Sequence, residues 1–76
     1  MNKKDKKNFN RVRAALREVR NKCGDREPQE QSYLKEYTEG KGIYVINWPS
    51  VFNELHERGF VERCGSDNKY ILTKKL

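Results

Sequence analysis

A chain of 76 residues with 34% hydrophobic and 37% charged side chains has material for one small core and none for a second. No run approaches the ~20 apolar residues of a membrane span, and no apolar stretch of signal-peptide type follows the lysine-rich start. Two cysteines, Cys23 and Cys64, make no disulfide framework. The expectation is a soluble, cytoplasmic protein with buried or half-buried thiols. The net charge of +6 is lopsided: Met1 to Arg26 carries ten Lys or Arg against three acids, whereas Glu27 onward carries seven against eight. A polyanion is drawn to the first third of the chain.

Lys3, Lys4, Lys6 and Lys7 predict a flexible basic arm over residues 1–7, removable without unfolding the domain of residues 8–76. From Asn8, the residues Phe9, Val12, Leu16, Val19 and Cys23 recur at spacings of three and four, one stripe of a helix that ends at Gly24. Arg13, Arg17 and Arg20 fall beside that stripe as a basic edge. Their stems can cover the core margin, or their heads can meet phosphate. Asp25-Arg26-Glu27 then connects to a second helix with Pro28 in its first turn, running to Tyr37 or Thr38 with Tyr33, Leu34 and Tyr37 inward. Glu39-Gly40-Lys41-Gly42 breaks the pattern. Ile43-Tyr44-Val45-Ile46 is β-prone, either a first strand or a loop that gives Ile43 and Val45 to the core.

Asn47-Trp48-Pro49 opens a third helix, running to Arg58, with a capping Asn and a Pro in the first turn, where its missing N–H costs nothing. Val51, Phe52 and Leu55 form its inner face, and Gly59 falls where a left-handed cap is wanted. Phe60–Cys64 and Lys69–Thr73 are strand-like in content, with Gly65-Ser66-Asp67-Asn68 as the turn between them. Leu55-x-x-x-Gly59-Phe60-Val61 followed by Tyr70-x-Leu72-Thr73 resembles the second half of winged helix-turn-helix DNA-binding domains, over the last third of the chain and at superfamily level. The resemblance implies an α+β fold, three helices and a C-terminal β-hairpin wing, with the third helix in the major groove. It further implies that Ser66, Asn68 and Lys69 at the wing tip touch the adjacent groove or backbone. In the commonest order of that superfamily the first strand precedes the second helix, and the β-prone run at 43–46 departs from this.

Catalytic signatures fail on inspection. Gly42-Ile43-Tyr44 matches the opening motif of the GIY-YIG nucleases, but the second strand motif, the helix-borne Arg and the metal-binding Glu have no place in the remaining 30 or so residues. Cys23, His56 and Cys64 offer no CxxC or HxxxH chelate and no orienting third group for a nucleophile pair. Gly40 and Gly42 lack the Gly-Lys-Ser/Thr of a phosphate loop. No catalytic residue, metal or cofactor is assigned.

The third helix carries the functional expectation. Its outer face presents Ser50, Asn53, Glu54 and Glu57, with Asn47 at its start. Asn reads adenine with two hydrogen bonds, Ser is versatile, and Glu accepts from cytosine. Glu54 and Glu57 also repel phosphate, and on this helix only Arg58 attracts it. Affinity must then come from Lys3, Lys4, Lys6, Lys7, Arg11, Arg13, Arg17 and Lys41, and from Arg63 and Lys69 on the hairpin. The expected function is a non-enzymatic regulator of transcription or replication on double-stranded DNA, with monomer and homodimer both open. One alternative is a winged-helix protein-interaction module, an accessory or inhibitor polypeptide, using the acidic helix face and exposed aromatics such as Trp48 and Tyr44. Another is an RNA- or ribosome-associated domain using the basic first helix.

Overall fold

The computed structural model describes residues 1–24, 27–65 and 68–76. The elements run α1 (Lys3–Cys23), β1 (Pro28–Glu30), α2 (Gln31–Gly40), α3 (Trp48–Glu57), β2 (Val61–Cys64) and β3 (Lys69–Leu72). The architecture is α+β, three helices against a three-stranded antiparallel sheet in the order β1-β3-β2. A wing-like hairpin, β2 and β3, closes the chain, with Val61 opposite Leu72 and Arg63 opposite Tyr70.

The apolar stripe of α1 is buried as expected at Phe9, Val12, Leu16 and Val19, together with Ala15. Gly24 ends the helix at φ +86°, its N–H donating to the Arg20 carbonyl at 2.7 Å. Two expectations about this helix need correction. Cys23 is exposed rather than part of the stripe. The helix also starts at Lys3, five residues before Asn8, so most of the expected arm is helical. Asn2 is the reason: its Oδ1 accepts from the Asp5 N–H at 2.9 Å, a cap that satisfies one of the first-turn donors.

Between α1 and α3 the order differs from the sequence reading at Pro28, and the run 43–46 takes one of its two alternatives. Pro28 does not open α2 but begins β1, which pairs with β3 so that Gln29 faces Tyr70. Proline is tolerated there because it stands first in an edge strand. The run 43–46, for which the sequence allows a strand or a loop, is a loop with Ile43 buried and Val45 half-buried. On α2 the inward residues are Leu34 and Thr38, with Tyr37 half-buried and Tyr33 exposed. Thr38 is tolerated in the core because its hydroxyl donates to the Leu34 carbonyl at 2.8 Å.

Helix α3 follows its local signals closely. Asn47 caps it, accepting from the Ser50 N–H, and Trp48, Val51, Phe52 and Leu55 are buried. Its C-terminus is a Schellman closure, in which Phe60 N–H donates to the Leu55 carbonyl at 2.9 Å and Gly59 N–H to that of His56 at 3.0 Å. Gly59 adopts φ +78°, which explains the glycine. Phe52 then stacks on Tyr70 of β3 with centroids 4.5 Å apart, tying α3 to the sheet. Phe52, Leu55 and Leu72 share one core with Leu16 and Leu34. Among the described residues no helix is long and apolar enough to cross a membrane.

Candidate nucleic-acid interface

Helix α3 reaches the surface with Asn53 and Glu57 exposed and with Ser50 and Glu54 half-buried. Neither of the two polar groups best suited to base edges is idle. Arg63, on β2, donates from Nη2 to Asn53 Oδ1 at 2.6 Å. Arg58, at the end of α3, donates from Nε to Glu54 Oε2 at 2.8 Å, an i,i+4 ion pair. The hairpin is therefore linked to the middle of α3 through a side-chain hydrogen bond, and one of the two outward carboxylates is compensated. Asn47 serves as the helix cap, which commits its side-chain oxygen to the backbone.

The basic edge of α1 is mostly engaged in holding the fold. Arg17 Nε donates to the Leu76 oxygen at 2.8 Å and Arg20 Nη1 to the Thr73 carbonyl at 2.9 Å, so both dock the segment after β3. The Arg13 guanidinium lies 4.0 Å from the centroid of Phe60. Its Nε is buried without a hydrogen-bond partner among the described residues, so ring stacking holds it. Arg58 likewise lies over Phe9, at 4.8 Å, and the two rings are 6.4 Å apart. Of the two uses open to these arginines, packing along the core margin is the one the geometry displays.

Lys41 is paired too, with Glu18, and Tyr37 donates its hydroxyl to the same carboxylate at 3.1 Å. The Lys41 hydrogen bond, then that of Tyr37, hold the Glu18 carboxyl below its ordinary range, and the carboxylate holds Lys41 above its own. The Glu18 contribution is present above the ordinary carboxylate pKa and is lost as pH falls through the lowered folded value. Both groups are open to solvent, so it is small. Lys41→Gln is therefore expected to melt slightly below the unmodified protein near neutral pH. The two melting curves should coincide once the solution is acidic enough to protonate Glu18, and a gap that persists in acid would show another cause.

At the other end of α1, Lys3, Lys4, Lys6, Lys7 and Arg11 are all exposed and have no hydrogen bond or ion pair among the described residues; the side chains of Lys22, Lys35, Lys69 and Lys75 lack one too, but lie apart from this group in the sequence. Lys3 and Lys7, like Lys7 and Arg11, are like-charge pairs at i,i+4, each unfavourable by about 0.2–0.5 kcal/mol. The four lysines also stand at the positive end of the helix dipole. Local stability does not account for this placement.

That end of α1 adjoins the start of α3. Asp5, 1% exposed, accepts from the Ile46 N–H at 2.9 Å and the Asn47 N–H at 3.0 Å, and Asn2 Nδ2 donates to it at 3.1 Å. Asn8 Nδ2 donates to the Tyr44 carbonyl at 3.3 Å. Sequence reading missed the role of Asp5, although Asn2-x-x-Asp5 has the spacing of a helix cap and marks the true start of the helix. The loop so fixed leaves Tyr44 and Ile46 each 66% exposed. Trp48, expected as an exposed aromatic, is instead buried and packs on Phe52 at 5.4 Å.

On the hairpin, Arg63 is exposed and Lys69 half-buried, with Asn68 exposed at φ +49° beside them. Asn68 is also tied inward, its carbonyl accepting from the Gln31 N–H at 3.0 Å. Ser66 lies outside the described residues. Among the described residues no three His, Cys, Asp or Glu side chains group as metal ligands. The depression lined by Glu30, Gln31, Ser32, Lys35 and Asn68 is open and polar. No family model, no curated protein and no solved structure matches this chain.

Proposed function

We propose that this is a winged helix-turn-helix domain that binds double-stranded DNA and regulates transcription or replication without catalysis. The observation that carries the reading is the order α1-β1-α2-α3-β2-β3 with the sheet order β1-β3-β2. With β1 at Pro28–Glu30, the first strand precedes the second helix, as in the commonest winged-helix arrangement. Further support comes from the outer face of α3, which carries Asn53 and Ser50, from the hairpin linked to it through Arg63, and from the lysines next to its first turn, which have no ion pair among the described residues. In this reading α3 lies in the major groove, Asn53 reads a base edge, and Arg63 and Lys69 meet the backbone. The Arg63–Asn53 hydrogen bond must open or turn for Asn53 to pair with adenine, and phosphate is a natural competitor for the guanidinium.

Titration on matched and scrambled duplexes tests the reading. Asn53→Ala is expected to lose about 1–3 kcal/mol at one base position and relax preference there. Lys69→Ala should weaken both duplexes alike, and Glu54→Lys should raise affinity for both. If all three variants bind both duplexes like the unmodified chain, the α3 face is not a DNA surface. The protein-interaction alternative rests on one observation, the exposure of Tyr44 and Ile46. Salt separates the two readings: five phosphate contacts give a slope of about −4.5 in log affinity against log salt, roughly a 500-fold loss for a fourfold rise in salt. An interface centred on Tyr44 and Ile46 lacks that dependence.

A further inference from the structure

The loop before α3 and the start of α1 form one surface whose composition the groove helix does not explain. Tyr44 and Ile46 are exposed, yet their backbone is fixed, because Asp5 holds the Ile46 and Asn47 N–H groups and Asn8 holds the Tyr44 carbonyl. Lys4 and Arg11 stand one turn to either side of Asn8 on the same face of α1, and Lys7 is one turn from each of them. Two large apolar side chains on a rigid support thus border three cations that pair with nothing among the described residues.

We infer that Lys4, Lys7, Arg11, Tyr44 and Ile46 are a second contact surface, for the sugar–phosphate backbone of the duplex that flanks the groove occupied by α3. This inference rests on the DNA reading and adds a site outside the helix and hairpin. Charge selects the occupant. A second copy of the chain would set six cations face to face, so the partner is anionic. Phosphates satisfy Lys4, Lys7 and Arg11, while the apolar edges of the deoxyriboses cover Tyr44 and Ile46. The surface adjoins the N-terminal end of α3, so a helix in the groove brings it against the bordering strand. The contact carries no base preference, and its task is affinity and register.

The test compares the full chain with two variants on a duplex long enough to extend beyond the α3 site, over a salt series. Lys4, Lys7 and Arg11 changed together to Gln should lower the salt slope by about 2–3 units. Tyr44→Ser with Ile46→Ser should lower affinity roughly tenfold and leave the slope unchanged. All five side chains are exposed, and melting curves verify that both variants fold. A duplex-binding wild type whose triple variant keeps the full slope overturns the inference and leaves the α3 reading standing. A wild type that fails to bind duplex even at low salt overturns both. Vesicles containing phosphatidylserine are the counter-probe: if the wild type sediments with them and the Tyr44/Ile46 variant does not, while the duplex affinity of that variant is unchanged, the surface is a lipid contact and the inference is wrong.

Discussion

Leu55→Ala is expected to destabilise the domain by about 2–5 kcal/mol. Leu55 is fully buried in α3, within the cluster that joins Leu16 of α1, Leu34 of α2 and Leu72 of β3. Its backbone carbonyl also closes the helix by accepting from Phe60. Truncation to Ala opens a cavity where three helices and the sheet meet, and the Schellman closure holds the backbone so that collapse cannot fill it. At roughly 0.05–0.15 kcal/mol per residue, a domain of this size has only about 4–11 kcal/mol to lose. The melting temperature should fall by ~10 °C or more, or the cooperative transition should disappear. A melt that moved by only a degree or two would show that this core is assembled differently.

Asp5→Ala is the second large effect, expected to cost about 2–5 kcal/mol. The carboxylate is the acceptor for the Ile46 and Asn47 N–H groups and for Asn2 Nδ2, and each donor left without a partner costs about 1–3 kcal/mol where water cannot replace it. Asp5→Asn keeps one acceptor oxygen and should fall between Ala and wild type. Amide exchange at Ile46 and Asn47 reads the effect locally, and both should lose protection before the strands do. Unchanged exchange in Asp5→Ala would mean that these hydrogen bonds do not hold the loop. The buried carboxylate also reverses an expectation drawn from the sequence. Removing residues 1–7 as a dispensable arm would delete Asp5 and Asn2, so the truncation is a stability variant as much as a charge variant. The role of the lysines is better tested by substitution.

The elements read correctly from the sequence are those whose determinants lie within a few residues of each other. The three-and-four spacing of Phe9, Val12, Leu16 and Val19 fixes a buried face whatever it packs on. Asn47, Pro49 and Gly59 mark α3 because capping and left-handed closure are satisfied by the adjacent backbone. The hairpin comes from two strand-like runs around a turn. All of these are local free-energy preferences, visible without knowing the fold.

Tertiary structure decided the rest, because the partners come from distant parts of the chain. Pro28–Glu30 has no strand pattern and is a strand only because β3 offers it a free edge. Asp5 is buried because donors 41 and 42 residues away converge on it. Arg17 and Arg20 looked as available to phosphate as Lys4 or Lys7, but the segment after β3 returns to them with carbonyl oxygens. Asn53 stood free on its helix until Arg63 arrived from β2, and Tyr44 and Ile46 are exposed because Ile43 and Val45 take the inward positions of a loop held by α1. Local patterning alone settles which segments have an apolar face and how the third helix begins and ends. Which polar groups are consumed in holding the fold, and which remain for a partner, was decided by long-range pairing, since a hydrogen bond depends on where its second atom lies and periodicity carries no record of that.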